Sequence, residues 1–171
     1  MLTDLSFLRG PCPVAAYSLV GKILCRRFPD GSVKKLRILE TEAYCGENDT
    51  ACHAHKGRTA RTEVMYSDAG TLYVYLCYGI HWMLNIVTGL PEDPQAVLIR
   101  SCEGAEGPGK LTKALGIDKS FNGIRLSDCG DTLWLEDDPP LPTAVTAAAR
   151  IGISYASPED QRKPWRFVLQ R

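Results

Sequence analysis

Hydrophobic and polar residues alternate along several short stretches of the chain, as they do in strands that bury one face. KILCRRF and KKLRILETEAY flank PDGS, which predicts two strands joined by a turn. TLYVYLCYGIHWMLNIVTG contains two further strand-like runs that meet at Tyr78 and Gly79, so a second hairpin is predicted with Tyr78 at its tip. AVLIR predicts a buried strand that ends at Arg100, and RFVLQR predicts a closing strand.

The segments between these strands predict short helices. PVAAYSLVGK is expected to begin a helix at Pro13, because proline fits the first helical turn. GPGKLTKALGI predicts a glycine-rich turn that leads into a helix whose first amides could hold an anion, and TAVTAAARIGI predicts another helix from Thr143. A loop with one short helix is expected from Cys45 to Met65. Because strands and helices do not alternate regularly, the pattern favours an α+β fold.

Length and composition are those of an intracellular globular protein. The 171 residues suit one domain over residues 1–171 with a core of its own, and 44% of them are hydrophobic. No apolar run approaches the roughly 20 residues of a membrane helix, and the first residues lack the pattern of a signal peptide. The seven cysteines include no Cys-x-x-Cys pair, so reduced thiols are expected. We therefore expect a cytoplasmic protein, or a nuclear one if the source is eukaryotic.

Charge is balanced over the whole chain but uneven along it. The 20 basic and 20 acidic residues cancel, which argues against a protein held on nucleic acid by bulk charge. HAHKGRTAR, from His53 to Arg61, is basic and contains no acid, whereas LSDCGDTLWLEDD, from Leu126 to Asp138, is acidic. The surface is therefore expected to have a basic side and an acidic side, and the basic side could still contact phosphates.

The strand RILETEAY carries candidate chemistry on one face. In an extended backbone Glu40, Glu42 and Tyr44 point to the same side. Two carboxylates beside a phenol are suited to acid–base work, as in glycoside hydrolysis. Alternating acids are also common on a solvated strand face, so the spacing alone does not decide between the two interpretations. Glu40 has two possible roles: support of the sheet, or orientation of a neighbouring arginine.

Aromatic residues are concentrated in a chain that contains only 8% of them. The dense set comprises Tyr44, Tyr73, Tyr75 and Tyr78, with Trp82 nearby. Core packing is the preferred explanation for Tyr73, because aromatic residues favour strands. The other rings could stack a planar ligand, such as a base extruded from a duplex. An apolar residue must then fill the gap in the duplex, and a tyrosine at a hairpin tip could do so.

Two other motifs are weaker. CHAH, from Cys52 to His55, lacks the paired ligand spacing of a zinc site, so hydrogen-bonding histidines are the preferred interpretation. EGPGKL lacks the full phosphate-loop pattern, which argues against a nucleoside triphosphate. No metal and no cofactor are expected.

Together these segments resemble the alkyladenine, or methylpurine, DNA glycosylase family. The matching segments follow the family's order over nearly the whole chain: ETEAY, DTACHA, TLYVYLCYGIH, the LN that ends at Asn85, AVLIR, GPGKLTKALGI, AAARIGI and RKPWRF. There are two small departures. The family often has Arg-Asn where this chain has Arg61-Thr62, which affects one polar contact near the pocket. It often has Tyr-Gly-Met where this chain has Tyr78-Gly79-Ile80, which alters the inserted tip.

The resemblance implies a compact α+β domain around a curved antiparallel sheet, with short flanking helices and a protruding hairpin that enters DNA. It implies a monomer that flips damaged purines, such as 3-methyladenine, other alkylpurines, hypoxanthine or ethenoadenine, out of duplex DNA. Hydrolysis of the base–sugar bond would then start base excision repair without metal or cofactor.

Roles for particular residues follow from the same resemblance. Glu42 would activate the attacking water, which Arg100 and the backbone carbonyl of Ile151 help to hold. The base pocket would be formed by Tyr44, His53, Tyr75 and Asn85, and Asn85 would crowd the 2-amino group of a normal guanine. Tyr78 and Ile80 would enter the duplex. The basic segments add four candidate DNA contacts: Arg58, Arg61, Lys110 and Lys163.

Two other classes of protein stay open on the sequence. A non-catalytic module that recognises distorted DNA would keep the tyrosine tip and bind lesions without releasing a base. A reduced-thiol or metal protein would use CHAH and the cysteines. For the glycosylase, phosphate contacts from a local basic face predict DNA binding that weakens steeply with salt.

Overall fold

The computed structural model describes residues 1–137 and 144–170. Within these ranges eight strands form one antiparallel sheet. The strands are β1 Ile23–Arg27, β2 Val33–Cys45, β3 Leu72–Cys77, β4 His81–Thr88, β5 Gln95–Cys102, β6 Leu133–Glu136, β7 Val145–Ala148 and β8 Arg166–Leu169. Their order is β3-β4-β5-β2-β1-β6, and β8 pairs with both β2 and β7. The prediction of an α+β fold around an antiparallel sheet is confirmed.

Three short α-helices accompany the sheet in the described ranges: α1 Cys12–Leu19, α2 Pro108–Leu115 and α3 Pro158–Arg162. The main core lies between one face of the sheet and the first two helices. Its fully buried side chains include Ala15, Ala16 and Leu19 of α1, Leu111 and Leu115 of α2, and Ile38, Ala43, Leu72, Leu84, Ile86, Val97 and Ile99 of the sheet. Because this face is filled by aliphatic packing, the opposite face of the central strands is left for polar and aromatic residues.

Strand β2 is the longest and pairs with three others. Along one side it pairs first with β1 and then with β8, and along the other side it pairs with β5. The pairing with β5 is irregular on both sides of Glu40 and becomes regular from Thr41 onward. Arg100 has no partner in this register, because Ser101 pairs with Glu40 and Ile99 pairs with Thr41. Such bulges re-aim side chains, and this one lies beside the candidate carboxylates.

The hairpin of β3 and β4 ends in a tight turn. The amide of Ile80 donates to the carbonyl of Cys77 at 3.1 Å, and φ is positive at both central residues, 51° at Tyr78 and 72° at Gly79. Positive φ at both positions is the requirement of a type I′ turn. Tyr78 is 93% exposed and Ile80 is 71% exposed. The predicted hairpin and its tip are confirmed, and an aromatic residue occupies a backbone conformation that normally favours glycine.

Two elements differ from the prediction. The helix predicted in TAVTAAARIGI is wrong: residues Val145–Ala148 form β7, which pairs with β8, and Thr143 lies outside the described residues. Alanine has the highest intrinsic helix propensity, but such propensities are small, and pairing with a neighbouring strand overrides them here. The loop from Cys45 to Met65 has three short 3-10 helices where one short helix was expected: Gly46–Asn48, His53–Lys56 and Glu63–Tyr66. Over residues 1–137 and 144–170, no helix has the length and apolarity needed to cross a bilayer.

Candidate active site

The register of the central strands gathers the candidate residues on one face of the sheet. Glu42 of β2 is opposite Leu98 of β5, and Leu98 is in turn opposite Asn85 of β4. Asn85 is opposite Tyr73 of β3. Since side chains alternate along each strand, Tyr44, Arg100 and Tyr75 share this face with them. The alternation that builds the aliphatic core on one side therefore builds the site on the other.

Glu42 is a buried carboxylate with a hydrogen bond at each oxygen. Its side chain has no exposed surface. Oε1 accepts from the backbone amide of Ile151 at 2.9 Å, and Oε2 accepts from the hydroxyl of Tyr44 at 2.8 Å. Burial raises the pKa of Glu42, although Arg100 and these two donors act in the opposite direction. Burial therefore shields Glu42 from solvent, while Arg100 and the two donors favour its ionised form.

Arg100 joins the two glutamates. Its Nε lies 3.2 Å from Oε1 of Glu40 and 3.6 Å from Oε1 of Glu42. Glu40 also accepts a hydrogen bond from Nη1 of Arg166 on β8 at 2.8 Å. Of the two roles considered for Glu40, the orientation of neighbouring arginines is the one that these contacts support.

A cleft of about 750 Å³ opens in front of Glu42. It extends to the hairpin tip, and its lining includes Glu42, Tyr44, His53, Arg61, Tyr75, Tyr78, Arg100 and Ile151. A smaller recess of about 40 Å³ lies deeper and is lined by Tyr44, His53, Tyr73, Tyr75, Asn85 and Tyr155, among others. The recess can hold only a few water molecules. A planar ligand would therefore occupy the cleft and reach the recess with its edge alone.

His53 and Tyr75 form the aromatic wall between cleft and recess. Their ring centroids lie 4.8 Å apart in an edge-on arrangement, and Nδ1 of His53 lies 3.0 Å from the hydroxyl of Tyr73. Burial, together with nearby Arg61, lowers the pKa of His53 to about 4. The imidazole is therefore neutral at physiological pH, with one nitrogen as a donor and the other as an acceptor.

An ion pair buried behind the site holds the loop that contains Ile151. The guanidinium of Arg150 bonds both oxygens of Asp49 at 2.6 and 2.8 Å and the carbonyl of Ala43 at 2.9 Å. It also lies over the rings of Tyr44 and Trp165, 4.9 and 5.1 Å from their centroids. Because Ile151 follows Arg150 directly and the guanidinium lies over the ring of Tyr44, this pair fixes both hydrogen-bond donors to Glu42: the amide of Ile151 and the hydroxyl of Tyr44.

The four candidate DNA contacts lie in different settings. Arg61 lines the cleft and lies over the ring of Tyr75 at 5.0 Å. Lys110 is exposed on α2. Arg58 is paired with Glu63 at 3.1 Å and also with Glu92. Lys163 is paired with Asp160 at 2.7 Å. The structure brings only Arg61 into the cleft lining.

The CHAH segment does not gather metal ligands. His53 contacts Tyr73, whereas Nδ1 of His55 lies 2.7 Å from the carbonyl of Glu47. In the part of the chain that the structure describes, no three His, Cys, Asp or Glu side chains are grouped to bind a metal ion. All seven cysteines have free thiols.

Three functional contributions were missed by the sequence reasoning. Tyr155 lines both the cleft and the recess, and its hydroxyl donates to the carbonyl of Ala51 at 2.9 Å. The Asp49–Arg150 pair left no local signal, because its partners are about a hundred positions apart. Ile151 contacts Glu42 through its amide, whereas the expected contact was its carbonyl with a water molecule.

Comparison with known proteins defines the class of enzyme. Residues 6–171 match the family model described as methylpurine-DNA glycosylase. A relative from Psychrobacter cryohalolentis is 46% identical, and the alignment covers 88% of this chain and 83% of the relative. One from Methanocella arvoryzae is 44% identical over 94% and 88%, and one from Borrelia garinii subsp. bavariensis is 41% identical over 98% and 95%. All three bear the provisional name 3-methyladenine DNA glycosylase.

These matches identify a DNA glycosylase, a DNA-binding hydrolase that cuts the bond between base and sugar in the repair of DNA. The chain belongs to the methylpurine-DNA glycosylase family.

Proposed function

We propose that this enzyme flips damaged purines out of duplex DNA into the cleft and hydrolyses their N-glycosidic bond with a water molecule activated by Glu42. The observation that carries the proposal is the position of Glu42. It is a buried carboxylate, bonded at both oxygens, at the side of an aromatic cleft that extends to an exposed tyrosine. Alkylpurines are the proposed substrates, and hypoxanthine and ethenoadenine are further candidates.

The chemistry requires negative charge near the sugar. Cleavage of the bond between C1′ and the purine nitrogen passes through a state resembling an oxocarbenium ion. An ionised Glu42 stabilises this positive charge and accepts a proton as water attacks. Arg100 and the carbonyl of Ile151 are proposed to hold that water. In this proposal the reaction needs water alone as co-substrate.

The cleft supplies recognition of the base. Alkylation at N3 or N7 makes a purine cationic, which improves it as a leaving group. It also strengthens stacking on tyrosine faces by about 0.5 to 2 kcal/mol. We assign this stacking to Tyr44 and Tyr75. Neutral His53 can donate a hydrogen bond to an uncharged base. Asn85, which lines the recess, is proposed to crowd the 2-amino group of guanine.

The hairpin tip is proposed to fill the gap left by the flipped base. Tyr78 is exposed and held at positive φ, a conformation that costs an L-residue about 1 to 2 kcal/mol. A folded chain gains nothing from an aromatic side chain in that place, and such outliers cluster at functional sites. Tyr78 and Ile80 are therefore assigned to insertion into the duplex.

Replacing Tyr78 separates insertion from folding. In Tyr78→Gly the strained position receives the residue that it favours, so the melting temperature should stay the same or rise. Loss of the inserted ring should slow lesion base release about tenfold under single-turnover conditions. Tyr78→Phe keeps the ring and should retain most of the rate. Wild-type release by Tyr78→Gly would refute the insertion role.

The function itself is tested by incubating the wild-type protein with duplexes that each contain one lesion: an alkylpurine, hypoxanthine or ethenoadenine. We expect free base and an abasic site from at least one duplex, and none from the undamaged duplex. Tight binding without any free base would contradict the proposed reaction. Sedimentation of the free and DNA-bound protein tests the expected monomer.

A further inference from the structure

The hydroxyl of Tyr44 donates a hydrogen bond to Glu42. It lies 2.8 Å from Oε2, whereas the ring of the same residue lines both the cleft and the recess. The two residues belong to the regular part of β2, two positions apart and on the same face. A residue that only stacked on the base would not need a hydroxyl directed at the carboxylate.

The phenol acts as a donor in this bond. Burial and the nearby carboxylate raise the pKa of Tyr44 well above its ordinary value, so it keeps its proton. The oxygen that it bonds differs from the one that accepts the amide of Ile151 and faces Arg100. Without Tyr44, Oε2 would therefore lose its hydrogen-bond donor inside a buried site.

The ring of Tyr44 is held in place by Arg150. Arg150 lies over this ring at 4.9 Å and is itself fixed by two bonds to Asp49. The guanidinium is fully buried. The ring can therefore contact a base without losing the direction of its hydroxyl.

The remaining charges around Glu42 act in opposite directions on its pKa, and the effect of Arg100 is the larger. Arg100 favours the carboxylate form, and Glu40 opposes it. Arg100 is shared with Glu40, which also takes a bond from Arg166. The hydroxyl of Tyr44, in contrast, is a side-chain donor that Glu42 does not share with Glu40.

We propose that Tyr44 is a positioning residue for Glu42 as well as a wall of the base pocket: its hydroxyl orients the carboxylate and favours the charged form that accepts the proton of water. This inference rests on the proposed role of Glu42. It makes base contact and water activation two functions of one side chain, the ring for the first and the hydroxyl for the second.

The test is the pH dependence of base release by Tyr44→Phe, which keeps the ring and removes only the hydroxyl. Single-turnover rates at saturating enzyme are measured on an ethenoadenine or hypoxanthine duplex, together with the affinity for the duplex. Loss of a hydrogen bond to the charged form raises the pKa of a carboxyl group. The acid limb of the rate profile should therefore move upward by about one pH unit. At pH values above the acid limbs of both wild type and variant, the rate of Tyr44→Phe should recover to within about tenfold of the wild-type rate, and its affinity for the duplex should be retained.

Tyr66→Phe is the matched control. The hydroxyl of Tyr66 donates to Oε1 of Glu47 at 2.6 Å, so this variant removes the same kind of bond outside the cleft lining. Its acid limb should coincide with that of wild type.

The outcomes separate this inference from the proposed function. If Glu42→Gln is inactive and the acid limb of Tyr44→Phe moves while that of Tyr66→Phe does not, the positioning role is supported. If Glu42→Gln is inactive and Tyr44→Phe has an unmoved limb, or an equal loss at every pH, the inference is overturned and the glycosylase stands. If Glu42→Gln still releases base, the assigned role of Glu42 and the inference both fail.

Discussion

Glu42→Gln is expected to lower the single-turnover rate of base release by about 10³-fold or more while the lesion duplex is still bound. Glutamine keeps the size of the side chain and can accept the bonds from Ile151 and Tyr44 at one oxygen only. It removes the proton acceptor and the negative charge beside the sugar, which together support a loss of this size. The measurement is free base formed with enzyme in excess, with duplex affinity determined in parallel.

Glu40→Gln provides the matched control for this experiment. Glu40 lies two residues away on the same strand and shares Arg100 with Glu42, but its bonds are to arginines. Its loss should slow release by about tenfold at most, because it acts through Arg100. Comparable losses in the two variants would contradict the assignment of the base to Glu42. In the wild type, release should decline on acidification through a limb above the ordinary glutamate pKa of 4.5, because burial raises the pKa of Glu42 and the ionised form is the one proposed to accept the proton.

Arg150→Met should be the most destabilising of the substitutions considered. Arg150 and Asp49 have 0% and 1% exposed side chains. Removing the guanidinium leaves a buried carboxylate without its cation, which costs about 3 to 5 kcal/mol of unfolding free energy. The hydrogen bonds that Asp49 also accepts from the amides of Cys45 and Ala51 remain in the variant, so they offset part of this cost. Urea unfolding followed by circular dichroism measures the loss.

Arg125→Met is the exposed control, in which Asp68 also keeps its ion pair with Arg9 at 2.8 Å. Arg125 pairs with Asp68 at 2.8 Å, a distance like that of the buried pair, but its side chain is 45% exposed. An exposed pair contributes at most about 1 kcal/mol. A loss in Arg150→Met no larger than that in Arg125→Met would show that the buried pair is not what holds the loop of Ile151.

The candidate site was predictable where the chain itself carries the pattern. Glu42 and Tyr44 are neighbours on one strand, so their shared face follows from alternation. Tyr78 follows from the hairpin signal. Arg100 was predicted as a site residue through the resemblance. Its contact with both Glu40 and Glu42 depends on a bulge in the pairing of β2 with β5, which no local pattern encodes.

Other parts depend on distant contacts or on signals that were not used. The strand β7 exists because β8 pairs with it, and its own alanines gave the opposite indication. The helix α3 did have a signal: Ser157 caps it by accepting from the amide of Asp160, and Pro158 occupies its first turn. The strand β6 likewise had a signal, the apolar run LWL, whose three residues are all buried, inside a segment described above only by its acids.

The pairing of two candidate DNA contacts, Arg58 and Lys163, with acidic side chains bears on how the enzyme would find a lesion. Cations already paired within the protein release few counterions when they meet phosphates, so they add little to residence on undamaged DNA. The steep salt dependence predicted from the sequence then rests on the other two candidates, Arg61 and Lys110. We expect brief visits followed by dissociation, with long stretches covered by repeated encounters. Under such a search, a weakly stacked damaged base is found because it leaves the helix readily during a short visit.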